Sequence, residues 1–399
     1  MTERCVLAYS GGLDTTVAIG WLRDKYGCEV IAMAADVGQG VDADLLRARG
    51  QACGASDVVV VDAREEFARD FAAPALRANA LYMGKYPLVS ALSRPLIARH
   101  LVQVARETGA SLVAHGCTGK GNDQVRFEVA TTTLAPDLTT LAPVRDAGLS
   151  REAAIAYAEE RGLPVPVTRS SPYSIDENLW GRTIECGILE DPWVSPPGDA
   201  YEWTADPAEA PAEPDVITLT FERGVPMAVD GSPMGLVELI GTVSKRAGAQ
   251  GIGRIDMIED RLVGIKSREI YEVPAAITLI TAHRDLEALT LERGVGTYKR
   301  SVEGTYADLI YNGLWYSPLR LALDAFIEET QKPVTGEVRL RLARGAIAVE
   351  GRRGPRALYA QDLATYDEGD RFDHTAAAGF VKLWGLPLKV WSERQGDAG

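Results

Sequence analysis

The sequence predicts an α/β fold: a parallel-sheet nucleotide-binding domain, then a mixed α+β domain and a C-terminal helical arm. Three observations predict it. Short apolar runs alternate with helical stretches through the first 165 residues. An acidic, proline-rich window then breaks the composition, and a strongly apolar tail closes the chain. At 399 residues the chain is also too long for one growing core. The expected domains are 1–165, 166–365 and 366–399.

Val6, Leu7 and Ala8 form the unbroken apolar stretch of a strand covered on both faces. The helix after it pairs Val17 with Trp21 and Ala18 with Leu22 at i,i+4. Further strands are expected at Glu29–Ala35, Asp57–Asp62 and Ser111–Ala114, with helices over Asp42–Cys53, Arg64–Phe71 and Pro95–Thr108. Such alternation makes an open parallel sheet, whose ligands sit beyond the carboxyl ends of the strands. Residues 190–215 hold six prolines, eight acids and no Lys or Arg, so an extended, solvated segment without chemistry is expected. Ile217, Leu219 and Phe221 then alternate as in a half-buried strand, and Leu319, Leu323 and Phe326 make a helical stripe. Val334–Leu342 alternates again and turns at Arg344-Gly345 into a hairpin. The tail Thr375–Trp391 carries Phe380, Leu383, Trp384, Leu388 and Trp391, with Pro387 expected to bend or end its helix. A terminal segment this apolar needs a surface to cover, and a neighbouring subunit is expected to supply it.

Composition bounds the function. Apolar content of 46% and charged content of 25% match a globular protein, and the net charge of −14 opposes binding to nucleic-acid backbones. Five scattered cysteines form no CxxC pair, and four histidines stand apart, so neither a disulfide framework nor a metal site is expected. The start shows no signal-peptide pattern and no stretch reaches the ~20 apolar residues of a membrane span, which points to the cytoplasm.

The chemistry starts at Ala8-Tyr9-Ser10-Gly11-Gly12-Leu13-Asp14-Thr15-Thr16. Gly11 and Gly12 allow a sharp turn that brings backbone N–H groups close to a ligand. The next helix presents its unpaired N–H groups to the same place, so an anion is favoured there. Ser10, Thr15 and Thr16 add hydroxyl donors, and Asp14 is placed to hold a metal on phosphates. No Lys follows the glycines, which excludes a Walker loop. The string resembles the SGGxD[ST] loop of the ATP pyrophosphatases, which cradles the pyrophosphate released when ATP is cut at its α-phosphorus.

A second constellation, His115–Phe127, places Gly116, Gly119 and Gly121 before a helix opening at Asn122. Asn122 and Arg126 share a helix face, with Asp123 turned by about 100°. Arg126 and the helix start suit carboxylates, and Asp123 suits an ammonium group. Helix capping by Asn122 or Asp123, with a surface ion pair to Arg126, explains the same residues without a ligand.

Over nearly its whole length the chain resembles the argininosuccinate synthase family. The resemblance rests on AYSGGLDTT (Ala8–Thr16), YPLVSALSRP (Tyr86–Pro95), AHGCTGKGNDQVRF (Ala114–Phe127), SSPYSI (Ser170–Ile175), NLWGRTIE (Asn178–Glu185) and Gly253–Tyr271. It implies an ATP-dependent carbon–nitrogen ligase that joins L-citrulline to L-aspartate through a citrullyl-adenylate, releasing AMP and pyrophosphate. It implies ATP with Mg²⁺ at Ala8–Thr16, Ala35 and Gly116; aspartate at Thr118, Asn122 and Asp123; and citrulline at Tyr86, Asn122, Arg126, Ser174, Thr183, Glu259 and Tyr271. Asp14 and Asp123 are the catalytic candidates, Asp123 to orient the attacking amine and accept its proton. The family's serine at position 183 is here Thr183, and a further citrulline-contacting serine is here Ala91, beside Ser90. A homotetramer assembled through the C-terminal arm is implied as well. Two other readings are a tRNA-modifying ATP pyrophosphatase, which the charge opposes, and a non-catalytic adenine-nucleotide sensor, which needs no Asn122–Asp123–Arg126 cluster.

Overall fold

The computed structural model describes residues 3–148, 151–164 and 173–395. The expected boundary at 165/166 and Ser170–Pro172 of the SSPYSI string lie outside them. Contacts divide the chain into two compact units, Met1–Arg356 and Ala357–Gly399.

Fourteen strands lie in the described residues. In chain order they are β1 (Arg4–Ala8), β2 (Glu29–Asp36), β3 (Asp57–Asp62), β4 (Leu112–Ala114), β5 (Thr139–Leu141), β6 (Ser174–Asn178) and β7 (Gly181–Glu185). Then come β8 (Asp215–Glu222), β9 (Val225–Val229), β10 (Ser232–Pro233), β11 (Arg254–Asp260), β12 (Lys266–Glu272), β13 (Gly336–Ala343) and β14 (Ala346–Arg353). The first five form a parallel sheet in the order β3-β2-β1-β4-β5. The order reverses between β1 and β4, so a crevice opens at their carboxyl ends, where the loops after β1 and β4 both emerge. Val6, Leu7, Ala32 and Met33 are fully buried, which explains why these strands read as continuous apolar runs.

Two antiparallel sheets follow, ordered β10-β9-β8-β13-β14 and β11-β12-β7-β6. In the first, Ile217, Leu219, Phe221, Val338, Leu340 and Leu342 are buried and alternate with partly or fully exposed neighbours, as their sequence spacing requires. In the second, Ile184 and Ile270 pack on one face against Leu189 and Ala200. The opposite face carries Glu259, Glu269, Tyr271, Thr183, Glu185, Ser174 and Asp176, set side by side by the strand register. One continuous core joins the parallel sheet to both later sheets.

Three local expectations need correcting. The helix expected from Pro95 begins at Val89 and contains Pro95; a proline removes one helical hydrogen bond, and eleven buried residues hold this helix regardless. The helix expected over Arg64–Phe71 becomes Arg64–Phe67, a π-helical turn Ala68–Ala72 and a short helix Ala73–Arg77. The stripe Leu319–Leu323–Phe326 lies on the helix Pro318–Gln331 as expected; Leu323 and Phe326 pack against the core, Leu319 is 51% exposed, and Arg320, Ile327, Thr330 and Gln331 are buried beside them. In the acidic window Trp193 is exposed, but residues 202–204 dock. Glu272, wholly buried at the end of β12, accepts the backbone N–H groups of Glu202, Trp203 and Thr204 and pairs with Arg182 at 2.9 Å.

In the C-terminal unit the helices His374–Trp384 and Leu386–Gln395 break at Gly385. Pro387 sits in the first turn of the second, where its missing N–H costs nothing. Phe380, Leu383, Trp384, Leu388 and Trp391 are all more than 60% exposed. Among the described residues no helix is long and apolar enough to cross a membrane, and no cluster of three His, Cys, Asp or Glu is placed to hold a metal.

Candidate active site

A cavity of about 890 Å³ opens where the loops after β1 and β4 meet the acidic face of the four-stranded sheet. That volume lies near the top of the ~300–1,000 Å³ range of small-molecule sites. Its wall includes every sequence-predicted site residue except Gly11 and Thr16. Those two are buried behind the loop. Gly11 has φ +77°, and a Cβ there would meet Leu46 Cδ2 at 2.3 Å, so only glycine fits.

The first loop is braced before any ligand arrives. The Ser10 and Thr15 hydroxyls lie 3.1 Å apart, Ser10 Oγ accepts the Gly12 N–H at 3.4 Å, and Arg49 donates to the Gly11 carbonyl at 2.9 Å. The helix Leu13–Tyr26 has no side-chain cap, which leaves its first N–H groups facing the cavity mouth. The second loop packs against the first: a Cβ on Gly116 would touch Thr15 Cγ2 at 2.9 Å. Gln124 donates to the carbonyls of Gly119 and Gly121, fixing the loop from its own helix.

Asn122 does not cap the helix Asp123–Leu134. Its amide accepts the Leu262 N–H and donates to the Tyr311 hydroxyl, both at 2.9 Å. The ion pair of Asp123 with Arg126, at 2.9 Å, is internal rather than a surface pair, since Arg126 is 4% exposed. Asp123 also pairs with Arg94 at 2.8 Å, and Arg94 reaches on to Asp176 at 2.5 Å. Burial works to raise the Asp123 pKa, but Arg94 and Arg126 outweigh it and hold the carboxyl below its ordinary value. Arg126 Nη2 is buried without a hydrogen-bond partner, a donor left over for a ligand carboxylate.

The opposite wall is acidic. Glu259 lies on β11, 3% exposed, bonded to the hydroxyls of Tyr271 and Tyr311. Burial raises its pKa, and the two phenols pull the other way. Tyr86 and Tyr271, both buried, stack with centroids 4.1 Å apart. Thr183 and Ser174 stand on strands, and Ser90 Oγ lies 3.3 Å from Thr183 Oγ1. Ser90 therefore reaches the cavity, whereas Ala91 does not line it. Burial and neighbouring Glu269 push the Glu185 carboxyl up to about 7, although Arg261 bridges the two acids. Arg94, Asp176, Glu185, Arg261 and Glu269 all line the cavity and were missed from sequence. All but Asp176 sit inside the stretches Tyr86–Pro95, Asn178–Glu185 and Gly253–Tyr271, which was the available signal.

Two family models match along the chain. Residues 4–164 match the Arginosuccinate synthase N-terminal HUP domain, and residues 173–391 match the Arginosuccinate synthase C-terminal domain. The chain belongs to the argininosuccinate synthase family. It is an ATP-dependent ligase that condenses L-citrulline with L-aspartate through a citrullyl-adenylate, giving argininosuccinate, AMP and pyrophosphate. Among solved structures, a predicted subunit of tRNA methyltransferase from Methanocaldococcus jannaschii is similar at 15% identity. That match covers 40% of this chain and 76% of the other at a TM-score of 0.28, too slight to bear on fold or function.

Proposed function

We propose that the cavity divides into three subsites matching the three substrates. The observation that carries this is the opening of the glycine loop, the Asn122–Asp123–Arg126 cluster and the acidic sheet face into one cavity at the sheet's switch point. ATP lies along Ala8–Thr16, Ala35 and Gly116, its terminal phosphates on the loop N–H groups. Mg²⁺ arrives with the nucleotide, and Asp14, exposed at the helix start, is the carboxylate placed to meet it. Citrulline lies between Arg126, whose spare Nη2 takes its carboxylate, and Glu259, which takes its ammonium group. Tyr86, Ser174, Thr183 and Tyr271 shape the rest of that subsite, and Thr118, Asn122 and Asp123 hold aspartate.

The chemistry needs positioning more than a protein nucleophile. The ureido oxygen of citrulline attacks the α-phosphorus in line, and the loop donors neutralise the departing pyrophosphate. The amine of aspartate then attacks the adenylated carbon and AMP leaves. Asp123, kept ionised by two guanidinium groups, suits orienting that amine and is poorly matched to accepting its proton. We further propose a cytoplasmic homotetramer joined through the C-terminal arm, with no nucleic-acid partner.

Pyrophosphate release tests the reading. It should be negligible with ATP alone and sustained only with ATP, citrulline and aspartate together, with AMP as the nucleotide product. ADP as the product would sink it.

A further inference from the structure

Tyr311 ends the helix Arg293–Tyr311, a stretch whose sequence carries no recognisable chemistry. It is 1% exposed and stands one layer behind the cavity wall. Its hydroxyl lies 2.8 Å from Glu259 Oε2 and 2.9 Å from Asn122 Nδ2. Its carbonyl accepts from Arg126 Nε at 3.0 Å, and the Arg126 guanidinium sits 4.9 Å from its ring centroid. One residue thus touches three pocket residues drawn from two separate segments of chain.

The ring is held in place independently of these bonds. Tyr82 stacks on it at 3.5 Å and 6°, and Tyr86 meets it edge-on. Just beyond, Gly313 at φ +74° would bring a Cβ within 2.9 Å of Arg126 Cα. The chain therefore crosses the start of the Asp123–Leu134 helix as closely as backbone allows.

A phenol has one proton to give and lone pairs to accept with. Glu259, as a carboxylate, only accepts, and Asn122 Nδ2 only donates. The order is fixed: Asn122 donates to Tyr311, which donates to Glu259. We infer that Tyr311 is a positioning residue: its hydroxyl fixes the Glu259 carboxylate and the Asn122 amide in one relative orientation, so that the citrulline ammonium group meets an ionised, oriented partner. This rests on Glu259 being that partner, as proposed above.

Tyr311→Phe in the full-length protein removes the hydroxyl and keeps both the ring stack and the carbonyl contact to Arg126. The KM for citrulline should rise roughly tenfold, the scale of one hydrogen bond to a charged group, with the KM for ATP unchanged. A carboxylate that loses a donor titrates higher, so the acid limb of citrulline KM against pH should move to higher pH. A purely structural role would not move that limb. Tyr82→Phe is the control, because the Tyr82 hydroxyl bonds the Asp260 carbonyl and not Glu259; its acid limb should stay in place. Should Tyr311→Phe fold poorly, a fluorinated tyrosine at 311 preserves the shape, strengthens the donor and should move the limb to lower pH. An unmoved limb together with wild-type citrulline KM would overturn the inference. Glu259→Gln separates the two readings. If it keeps wild-type citrulline KM, the subsite reading itself fails; if it loses citrulline while Tyr311→Phe behaves as wild type, only the role of Tyr311 fails.

Discussion

Asp123 shows what a single residue contributes here. Two guanidinium groups on separate helices converge on it, and that convergence holds this wall of the cavity together. Its folded pKa is depressed, so its stabilising contribution is present above the unfolded carboxyl pKa of ~3.9 and is lost as pH falls below it. Asp123→Asn should therefore cost about 2 kcal/mol at pH 7, the scale of a lost hydrogen bond to a charged group, by leaving Arg94 and Arg126 underpaired. The gap from wild type should start to narrow below about pH 4, where the unfolded carboxyl takes up its proton, and close only below the depressed folded pKa. Urea unfolding at pH 7 and at pH 3 measures both; a gap that does not change with pH would contradict the ion-pair account. Asp123 was readable from its motif, but its partner Arg94, 29 residues earlier, was not singled out. Nothing in a local pattern says which of many arginines reaches a given carboxylate.

At the scale of elements, the helices Pro274–Thr290, Arg293–Tyr311 and Pro318–Gln331 meet in a buried polar network. Asn79 donates to Glu287 and Glu303 at 2.7 Å, Lys299 pairs with both acids, and Gln331 donates to Glu287 at 2.6 Å. His283 bridges Asn79 and Gln331 through its two ring nitrogens. This network explains why the helix Pro318–Gln331 buries the polar Thr330 and Gln331 as well as packing Leu323 and Phe326 against the core. Asn79→Ala would strip donors from two buried carboxylates. We expect a loss of about 3 kcal/mol in urea unfolding, with KM values for the three substrates unchanged. A loss below about 1 kcal/mol would mean the network is not needed for packing. Strands were legible where burial is nearly uniform, as in β1 and β2, or strictly alternating, as in β8 and β13. Helix limits at Val89 and in the segment 64–77 were hidden, because tertiary burial overrode the local cost of proline and of a π-helical turn.

For the whole molecule, the two family segments share one continuous core, and the cavity lies where they meet. Residues 357–395 form a separate unit whose large apolar side chains are exposed, with the rings of Phe380 and Trp384 stacked at 5.5 Å. So much apolar surface on two short helices is the kind that another subunit covers. Trp384→Glu with Leu388→Glu should lower the assembly mass measured by light scattering and leave the far-ultraviolet circular dichroism unchanged. An unaltered mass would remove the arm from the interface.

The primary structure alone settled the alternation of strands and helices, the glycine turn after the first strand and the motifs that carry the family likeness. Those features are local: backbone freedom, burial periodicity and short spacings each act within a few residues. Only the folded chain brought Glu259, Asn122 and Arg126 around the hydroxyl and carbonyl of Tyr311, and set Arg94 between Asp123 and Asp176. Contacts across 29 to 189 residues depend on sheet register and helix packing, which one-dimensional order does not encode in any local pattern.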